Sequence, residues 1–466
     1  MSAVIHDDAS AALPQFGVGR RIKQTRSLCP RCLQDIDAEV FERDGAVWMD
    51  KRCADHGVFS ALLATDPAHY YLADPKVEDL GSCCGPSRHC GDQVENHSCN
   101  LLIEITQRCN LTCPTCYAGS SPKRTEQMSL ARFEAVIDQL LEDGKGDADL
   151  IQLSGGEPTI HPQMFEMITL ALAKGVRRVY VNTNGIRLAQ RSFAERLAAI
   201  EGVSVYLQFD GFSRKALTVL RGDGDLLSTK MAALDHCEAL GIDVVPVMTL
   251  TRGVNDGDLG ALLREAASRR SIHKVMIQPA MYSGRYEGPR LVQRLTVADV
   301  VKLIAEQTGG TFSEADFGPI PCSDPNCFSM ALALKTAKGL VPVSRYFPRY
   351  ETWSEPGIAE MVASVTDSFD RAAQLRAMVQ WVTQSGALAA LDDVAIDALL
   401  DQITDVGTGS NDDWAGLLAI GIKPFMDAYT LDRDRTDKCC NHIVGSDGKP
   451  VSFCEYNAKH RPLGIG

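Results

Sequence analysis

The chain has 466 residues, 45 % of them hydrophobic and 23 % charged, the balance of a soluble protein with room for two or three domains. Its 47 Lys and Arg against 60 Asp and Glu leave a formal charge of −13, which argues against a nucleic-acid partner and against electrostatic docking on anionic lipid. No apolar run is long enough for a transmembrane segment and "MSAVIHDDASAALPQFG" has no signal-peptide pattern, so a cytoplasmic protein is expected.

Sixteen cysteines are many for that compartment, where disulfides are rare, so their clustering points to metal or redox chemistry. Residues 1–20 read as a flexible tail. Residues 21–80 read as a metal ribbon: "CPRC" (29–32) and "CADH" (53–56) form a C-x2-C…C-x2-H set, and "AEVFERDGAVWMDKR" between them reads as two strands around an Asp44-Gly45 hairpin turn. Cys29, Cys32, Cys53 and His56 would surround one tetrahedral ion, and mononuclear zinc or rubredoxin-like iron fits equally. Residues 81–100, with Cys83, Cys84, Cys90 and Cys99 between turn-forming spacers, could wrap a [4Fe–4S] cluster. His89 and His97 are rival ligands there, although solvated loop histidines are commoner.

Residues 101–310 alternate regularly. β-rich runs appear at 101–105, 150–153, 178–182, 203–208, 242–249 and 273–278, separated by helical patterns. In "SLARFEAVIDQLLEDG", Leu130, Phe133, Val136, Ile137, Leu140 and Leu141 share one face, and Gly144 fits the stop. Further helices start near Gln163, Ala189, Leu226, Asp256 and Thr296, the last with a Thr-x-x-Asp capping box. Six βα units mean a parallel α/β sheet, too few strands for a closed eight-stranded barrel. A partial (β/α)6 barrel is expected, with functional residues at the C-terminal ends of its strands. Cys237 falls inside a helical pattern and reads as core packing.

"RCNLTCPTCYAG" (108–119) sits on the loop after the first barrel strand. Its C-x3-C-x2-C spacing, at Cys109, Cys113 and Cys116, suits a [4Fe–4S] cluster with one iron left open; structural zinc with a fourth ligand from elsewhere is the rival. The C-terminal region, 311–466, carries Cys322, Cys327, Cys439, Cys440 and Cys454. If the tail folds back, these could hold another cluster. Adjacent cysteines fit one cluster poorly, so one of Cys439 and Cys440 is spare, and Cys440 is taken as the ligand with Cys322, Cys327 and Cys454. The stretch 355–430 is helical by period and reads as a layer over the barrel mouth, with core packing preferred over an acyl channel. Within it "WAGLLAIGIKPFMD" (414–427), apolar with little charge, is the best candidate for peripheral membrane contact.

The cysteine motif, "SGGEPT" (154–159) after the second strand, "VNTNG" (181–185) and "LQFDG" (207–211) resemble the radical S-adenosylmethionine (SAM) superfamily over about residues 100–310. The resemblance implies that the open iron takes the amino and carboxylate groups of SAM. One electron from the reduced cluster then breaks a C–S bond, giving a 5′-deoxyadenosyl radical that removes hydrogen from an unactivated C–H bond. It implies an electron donor such as flavodoxin or ferredoxin. Gly155 and Gly156 would let the backbone approach the methionine end, and Glu157 would pair with its ammonium. Asn182, Thr183, Asn184, Gln208 and Asp210 are candidates for the ribose and adenine, against the plainer reading of strand-end turn chemistry.

Over about 20–460, the ribbon, the cysteines before strand one, "IPCSDPNCFS" and the final "CCNHIVGSDGKPVSFCEYN" resemble, in that order, the tetraether lipid synthase group and its bacterial relatives. That implies one or two auxiliary [4Fe–4S] clusters and a lipid alkyl substrate joined by a new C–C bond. Some members of the group methylate a dihydropterin, so methylation of a pterin or another small molecule is the alternative, with peptide maturation beside it. A non-catalytic iron–sulfur carrier is disfavoured, because a carrier needs no Glu157. The shape of the space above the open cluster separates the first two: a long apolar tunnel favours lipid, a short polar pocket a pterin.

Overall fold

The computed structural model describes residues 16–71, 98, 100–143, 150–286, 294–320, 324–336, 338–346, 416–445 and 448–465. Most of the expected tail, Cys83, Cys84, Cys90, Cys99 and Cys322, and the helical layer up to 415 lie outside the described residues.

The ribbon is a four-stranded antiparallel sheet in sequential order, β1 (Arg20–Leu28), β2 (Asp35–Arg43), β3 (Ala46–Cys53) and β4 (Gly57–Ala64). The expected hairpin joins β2 to β3. Asp44 and Gly45 both take positive φ, 51° and 71°, as a two-residue turn matched to strand twist requires. β1 was not legible, because "RRIKQTRSL" has no apolar alternation and buries Thr25 and Ser27 instead.

The six barrel strands lie where the runs place them: β5 (Asn100–Thr106), β6 (Leu150–Gly155), β7 (Arg178–Thr183), β8 (Val203–Gln208), β9 (Val244–Leu250) and β10 (Lys274–Pro279), all parallel. The connecting helices are α1 (Leu130–Asp143), α2 (Met164–Ala173), α3 (Arg191–Ala198), α4 (Arg214–Arg221), α5 (Leu226–Leu240), α6 (Leu259–Ser268) and α7 (Val297–Gln307), and the Thr296–Asp299 capping box forms. α4 is additional to the expected helices. It is eight residues long, capped by the Ser213 hydroxyl and stopped by Gly222 in the left-handed region.

Because side chains alternate along a strand, each barrel strand splits its residues between two faces. Ile151, Leu153, Val179, Val181, Val205 and Leu207 are fully buried in the main core with the helices. Gln152, Ser154, Tyr180, Asn182, Tyr206 and Gln208 line an internal cavity.

The sheet continues past the barrel on both edges, with β11 (Gly318–Pro319), β12 (Ser329–Thr336), β13 (Gly339–Pro342), β14 (Leu417–Ile422), β15 (Asn441–Val444) and β16 (Pro450–Ser452). β14 pairs parallel with β10, and β15 pairs parallel with β5. This corrects the reading of 414–427 as a lipid-contacting stretch. Leu418, Ile420 and Ile422 are 0 % exposed inside the sheet, so the apolarity serves strand burial. The tail also reaches the ribbon. Arg433, opening the short helix α8 (Arg433–Asp437), pairs with Asp35 at 2.7 Å, and Lys459 pairs with the same carboxylate. Arg461 meets Glu104 of β5 at 2.6 Å.

Candidate active site

Cys109, Cys113 and Cys116 line one wall of a cavity of about 540 Å³. Their loop is held mostly by its own backbone. Cys109 N–H donates to Ser121 O (3.2 Å), Cys116 N–H to Cys113 O (3.2 Å) and Gly119 N–H to Cys116 O (3.3 Å). The segment after β10 clasps it from outside, with Arg285 donating from its backbone to Cys116 O (3.0 Å) and from Nε to Cys113 O (3.1 Å). Burial pushes the Cys109 thiol up to about 12 and raises Cys113. Burial makes Cys109 and Cys113 costly to ionise unless a metal takes them, which fits an iron–sulfur cluster with Cys116 beside them.

The Gly-Gly-Glu turn is locked against the same loop. Gly156 N–H donates to Thr106 O (2.7 Å) and Glu157 N–H to Arg108 O (2.9 Å). A Cβ at Gly155 would stand 2.1 Å from Thr106 O, and one at Gly156 2.1 Å from Arg108 O. Within the chain, then, the glycines are demanded by the backbone of the cysteine loop. Glu157 is 1 % exposed. Its Oε1 accepts from Thr159 N–H (3.2 Å), the Thr159 hydroxyl (2.5 Å) and the Thr183 hydroxyl (2.7 Å). Oε2 accepts from Asn184 N–H (2.8 Å) and from no other donor among the described residues, which leaves it room for one more on a residue that lines the cavity. Burial raises the Glu157 pKa despite these donors, so a cationic partner would be well rewarded. Glu157→Gln is expected to weaken SAM binding roughly 10- to 100-fold, since a charged hydrogen bond is worth about 1.5–3 kcal/mol. Equilibrium dialysis against SAM checks this; an unchanged affinity would place the ammonium elsewhere.

Asn182, Thr183, Asn184 and Gln208 all reach the cavity. Asn182 Oδ1 is buried without a partner among the described residues, the sort of orphan acceptor that a ligand hydroxyl or amine would satisfy. Asp210 behaves differently. It is 0 % exposed, lies behind the wall, and grips Arg221 through Nε (2.5 Å) and Nη2 (2.7 Å). Arg221, at the end of α4, is the group that reaches the cavity, where its charge works against the burial of the Cys113 thiol.

Lys230 on α5 is fully buried and donates to Asn184 O (3.2 Å) and Gln208 O (2.5 Å), tying together the ends of β7 and β8. Its signal was present in the sequence: Leu226, Lys230, Ala233, Leu234 and Cys237 form the buried face of α5, so a lysine sits on an apolar stripe. Burial lowers its pKa from 10.5 to about 8, against the pull of Asp210. Between those values the unfolded chain holds one more proton than the folded one, so stability rises with pH through that window. Lys230→Met should remove this rise, narrowing the pH 7.5-to-10 change in unfolding free energy by roughly 2 kcal/mol. Parallel pH dependences in the two proteins would refute it.

In the ribbon, Cys29, Cys32, Cys53 and His56 bring ligand atoms within 4.8 Å of one another. Cys32 and Cys53 sulfurs lie 3.9 Å apart, and His56 Nδ1 lies 3.6 Å from Cys29 Sγ and 3.4 Å from Cys53 Sγ. Tetrahedral bond lengths of about 2.3 Å to sulfur and 2.0 Å to nitrogen imply edges of about 3.8 and 3.5 Å, so the set fits one mononuclear ion. In the tail, burial raises Cys454 to about 12 and Cys327 to about 11. Cys439 closes a turn by donating from its backbone to Thr436 O at 3.2 Å, and its sulfur accepts from Asn441 N–H at 3.4 Å. Cys440 lies at the start of the β15 pairing, its carbonyl accepting from Asn100 N–H at 3.1 Å.

The radical SAM superfamily profile matches residues 103–266, and that of the HMPTM N-terminal zinc ribbon domain matches residues 21–65. The chain is 31 % identical to 7,8-dihydro-6-hydroxymethylpterin dimethyltransferase of Methanocaldococcus jannaschii, with 94 % of each chain covered. It is 28 % identical to Fe-coproporphyrin III synthase of Methanosarcina barkeri over 51 % of this chain and 58 % of that one. A radical SAM methyltransferase from Sphaerobacter thermophilus superposes with a TM-score of 0.35 at 16 % identity, covering 64 % of this chain and 77 % of that one. Agreement with a relative over nearly all of both chains, through a barrel whose cysteines and Glu157 already face one cavity, makes this protein a member of the radical SAM superfamily, an enzyme that uses a [4Fe–4S] cluster and SAM.

Proposed function

We propose that the protein is a radical SAM methyltransferase acting on a reduced pterin. The observation that carries this reading is the inner wall beyond the cysteines. Tyr180 and Tyr206 stand edge to face, 6.2 Å between ring centres, and Gln278 donates to Tyr206 Oη at 3.1 Å. Gln152 lines the same space, and Val247, Met276 and Phe328 form an apolar cluster against the two tyrosines. A flat heterocycle with lactam and amino edges finds both faces and hydrogen-bond partners there. A polymethylene chain would leave the buried Asn182 Oδ1 in the same cavity without a donor. The full-length pterin-modifying relative supports the same substrate class over the lipid one.

When bound, the reduced cluster supplies the electron that cleaves SAM to a 5′-deoxyadenosyl radical. The chain's part is to hold and shield. Glu157 and Asn184 fix one end of SAM, Lys230 fixes the strand ends that carry Asn184 and Gln208, and the apolar wall excludes water. Tyr206 keeps its proton, because burial raises its pKa, and so remains available as a hydrogen-bond donor. We read Cys327 and Cys454, with one of Cys439 and Cys440, as ligands of an auxiliary cluster and a small iron–sulfur or flavin protein as the electron donor. Incubation with methyl-labelled SAM, a low-potential reductant and 7,8-dihydro-6-hydroxymethylpterin should give, by mass spectrometry, 5′-deoxyadenosine and methionine from one SAM, and S-adenosylhomocysteine with a labelled methylpterin from a second. Cleavage of SAM with label entering an alkyl lipid and never the pterin would overturn the reading.

A further inference from the structure

The chain carries −13, yet its cavity does not share that sign. Four cations line it, Arg178, Arg221, Lys274 and Lys423, against the carboxylates of Glu157 and Asp243. Two of the four are neutralised by the fold, Arg221 by Asp210 at 2.7 Å and Arg178 by Asp243 at 3.1 Å. Lys274 sits at the first residue of β10 with Nζ 5.6 Å from the Phe328 ring centre.

Lys423 is placed differently. It follows the last residue of β14, and its backbone N–H donates to Ile277 O at 2.9 Å, which fixes it beside the C-terminal end of β10. It therefore stands at the functional end of the strands. β14 itself lies outside the segment that matches the superfamily, residues 103–266. Four steps in the sheet separate β14 from β7, which carries Asn182 and Thr183. Lys423 is half-buried, its Nζ lies 5.5 Å from the Phe425 ring centre, and no carboxylate among the described residues forms a salt bridge with it. An ammonium held on an apolar wall, without a counter-charge, gains most from an anion that arrives with a ligand.

We propose that Lys423 is a substrate-binding residue and that the substrate it holds carries an oxyanion, a phosphate or a carboxylate. This rests on the pterin reading of the cavity and deepens it. The flat ring packs by Tyr180 and Tyr206, and the anionic arm reaches Lys423, so a charged pterin derivative is preferred as substrate over the free alcohol. Specificity for that arm resides on β14.

The test is equilibrium binding to the full-length, cluster-loaded protein with SAM present, using 7,8-dihydro-6-hydroxymethylpterin, its phosphate ester and 6-carboxypterin. One charged probe should bind the wild type roughly 10- to 100-fold more tightly than the alcohol, and which one does so identifies the anion. Lys423→Met should abolish that difference with an unchanged melting temperature, and Lys423→Arg should keep most of it. Equal binding of all three probes, or a Lys423→Met protein that retains the preference, overturns the proposal. So does a loss of SAM affinity in Lys423→Met, which would assign the lysine to the SAM carboxylate. If no pterin binds although SAM does, the pterin reading fails. Pyrophosphate binding that is lost in Lys423→Met would then uphold the oxyanion site, and absence of pyrophosphate binding to the wild type would overturn it.

Discussion

Replacing Cys109, Cys113 and Cys116 together with alanine is expected to eliminate SAM cleavage while leaving the fold and the ribbon ion in place. The reason is the division of ligands. The ribbon set, Cys29, Cys32, Cys53 and His56, is complete without them. The loop itself stays pinned, because Arg285 holds Cys113 and Cys116 by their carbonyls, which alanine keeps. Cys109 and Cys113 are buried thiols with raised pKa values, so the metal-free protein loses little by their removal. Iron content and 5′-deoxyadenosine formation are the readouts. The variant should lose close to four irons per chain and all cleavage. Undiminished cleavage would sink the assignment of the cluster to this loop.

The barrel was legible because its strands are runs of β-branched and aromatic residues between helical stripes, a signal local to each segment. β14 was misread for the same reason. "LLAIGI" has the composition of a buried strand, but its partner β10 ends about 140 residues earlier in the chain, so nothing local says that a sheet edge awaits it. The ligands of the ribbon were legible because four residues in two short spacings suffice for a tetrahedral ion. The roles behind the cavity wall were not. Asp210 looked like a ligand-binding residue at a strand end, and only the placement of α4 turns it toward Arg221. Likewise Cys439 and Cys440 are equivalent in sequence. In the structure the first closes a turn back to Thr436 by a 3.2 Å backbone bond, and the second opens the β15 pairing.

Arg221→Met should be the most destabilising single substitution at the active site, by about 3–5 kcal/mol, because it strands a buried carboxylate. Asp210 has no exposure to solvent. Burial alone would raise its pKa; the Arg221 charge overrides this and holds the carboxyl below its usual range. With a depressed folded pKa, the wild-type pair contributes stability above the unfolded carboxyl pKa and loses it as the pH falls. Without the guanidinium, the remaining donors, Thr249 N–H (3.0 Å) and Gln208 Nε2 (2.8 Å), offset burial only in part. The folded pKa then rises above the unfolded one, and the sign reverses: the variant gains stability as the pH falls from 7 toward 5. Asp210→Asn on top of Arg221→Met removes the charge while keeping the shape, and should recover most of the loss, since neutralising both members of a buried pair costs far less than breaking it. Denaturant unfolding of the three proteins at both pH values checks the cycle. An Arg221→Met protein within about 1 kcal/mol of wild type at pH 7, well short of the buried-pair cost, would show that Asp210 finds solvent or another cation.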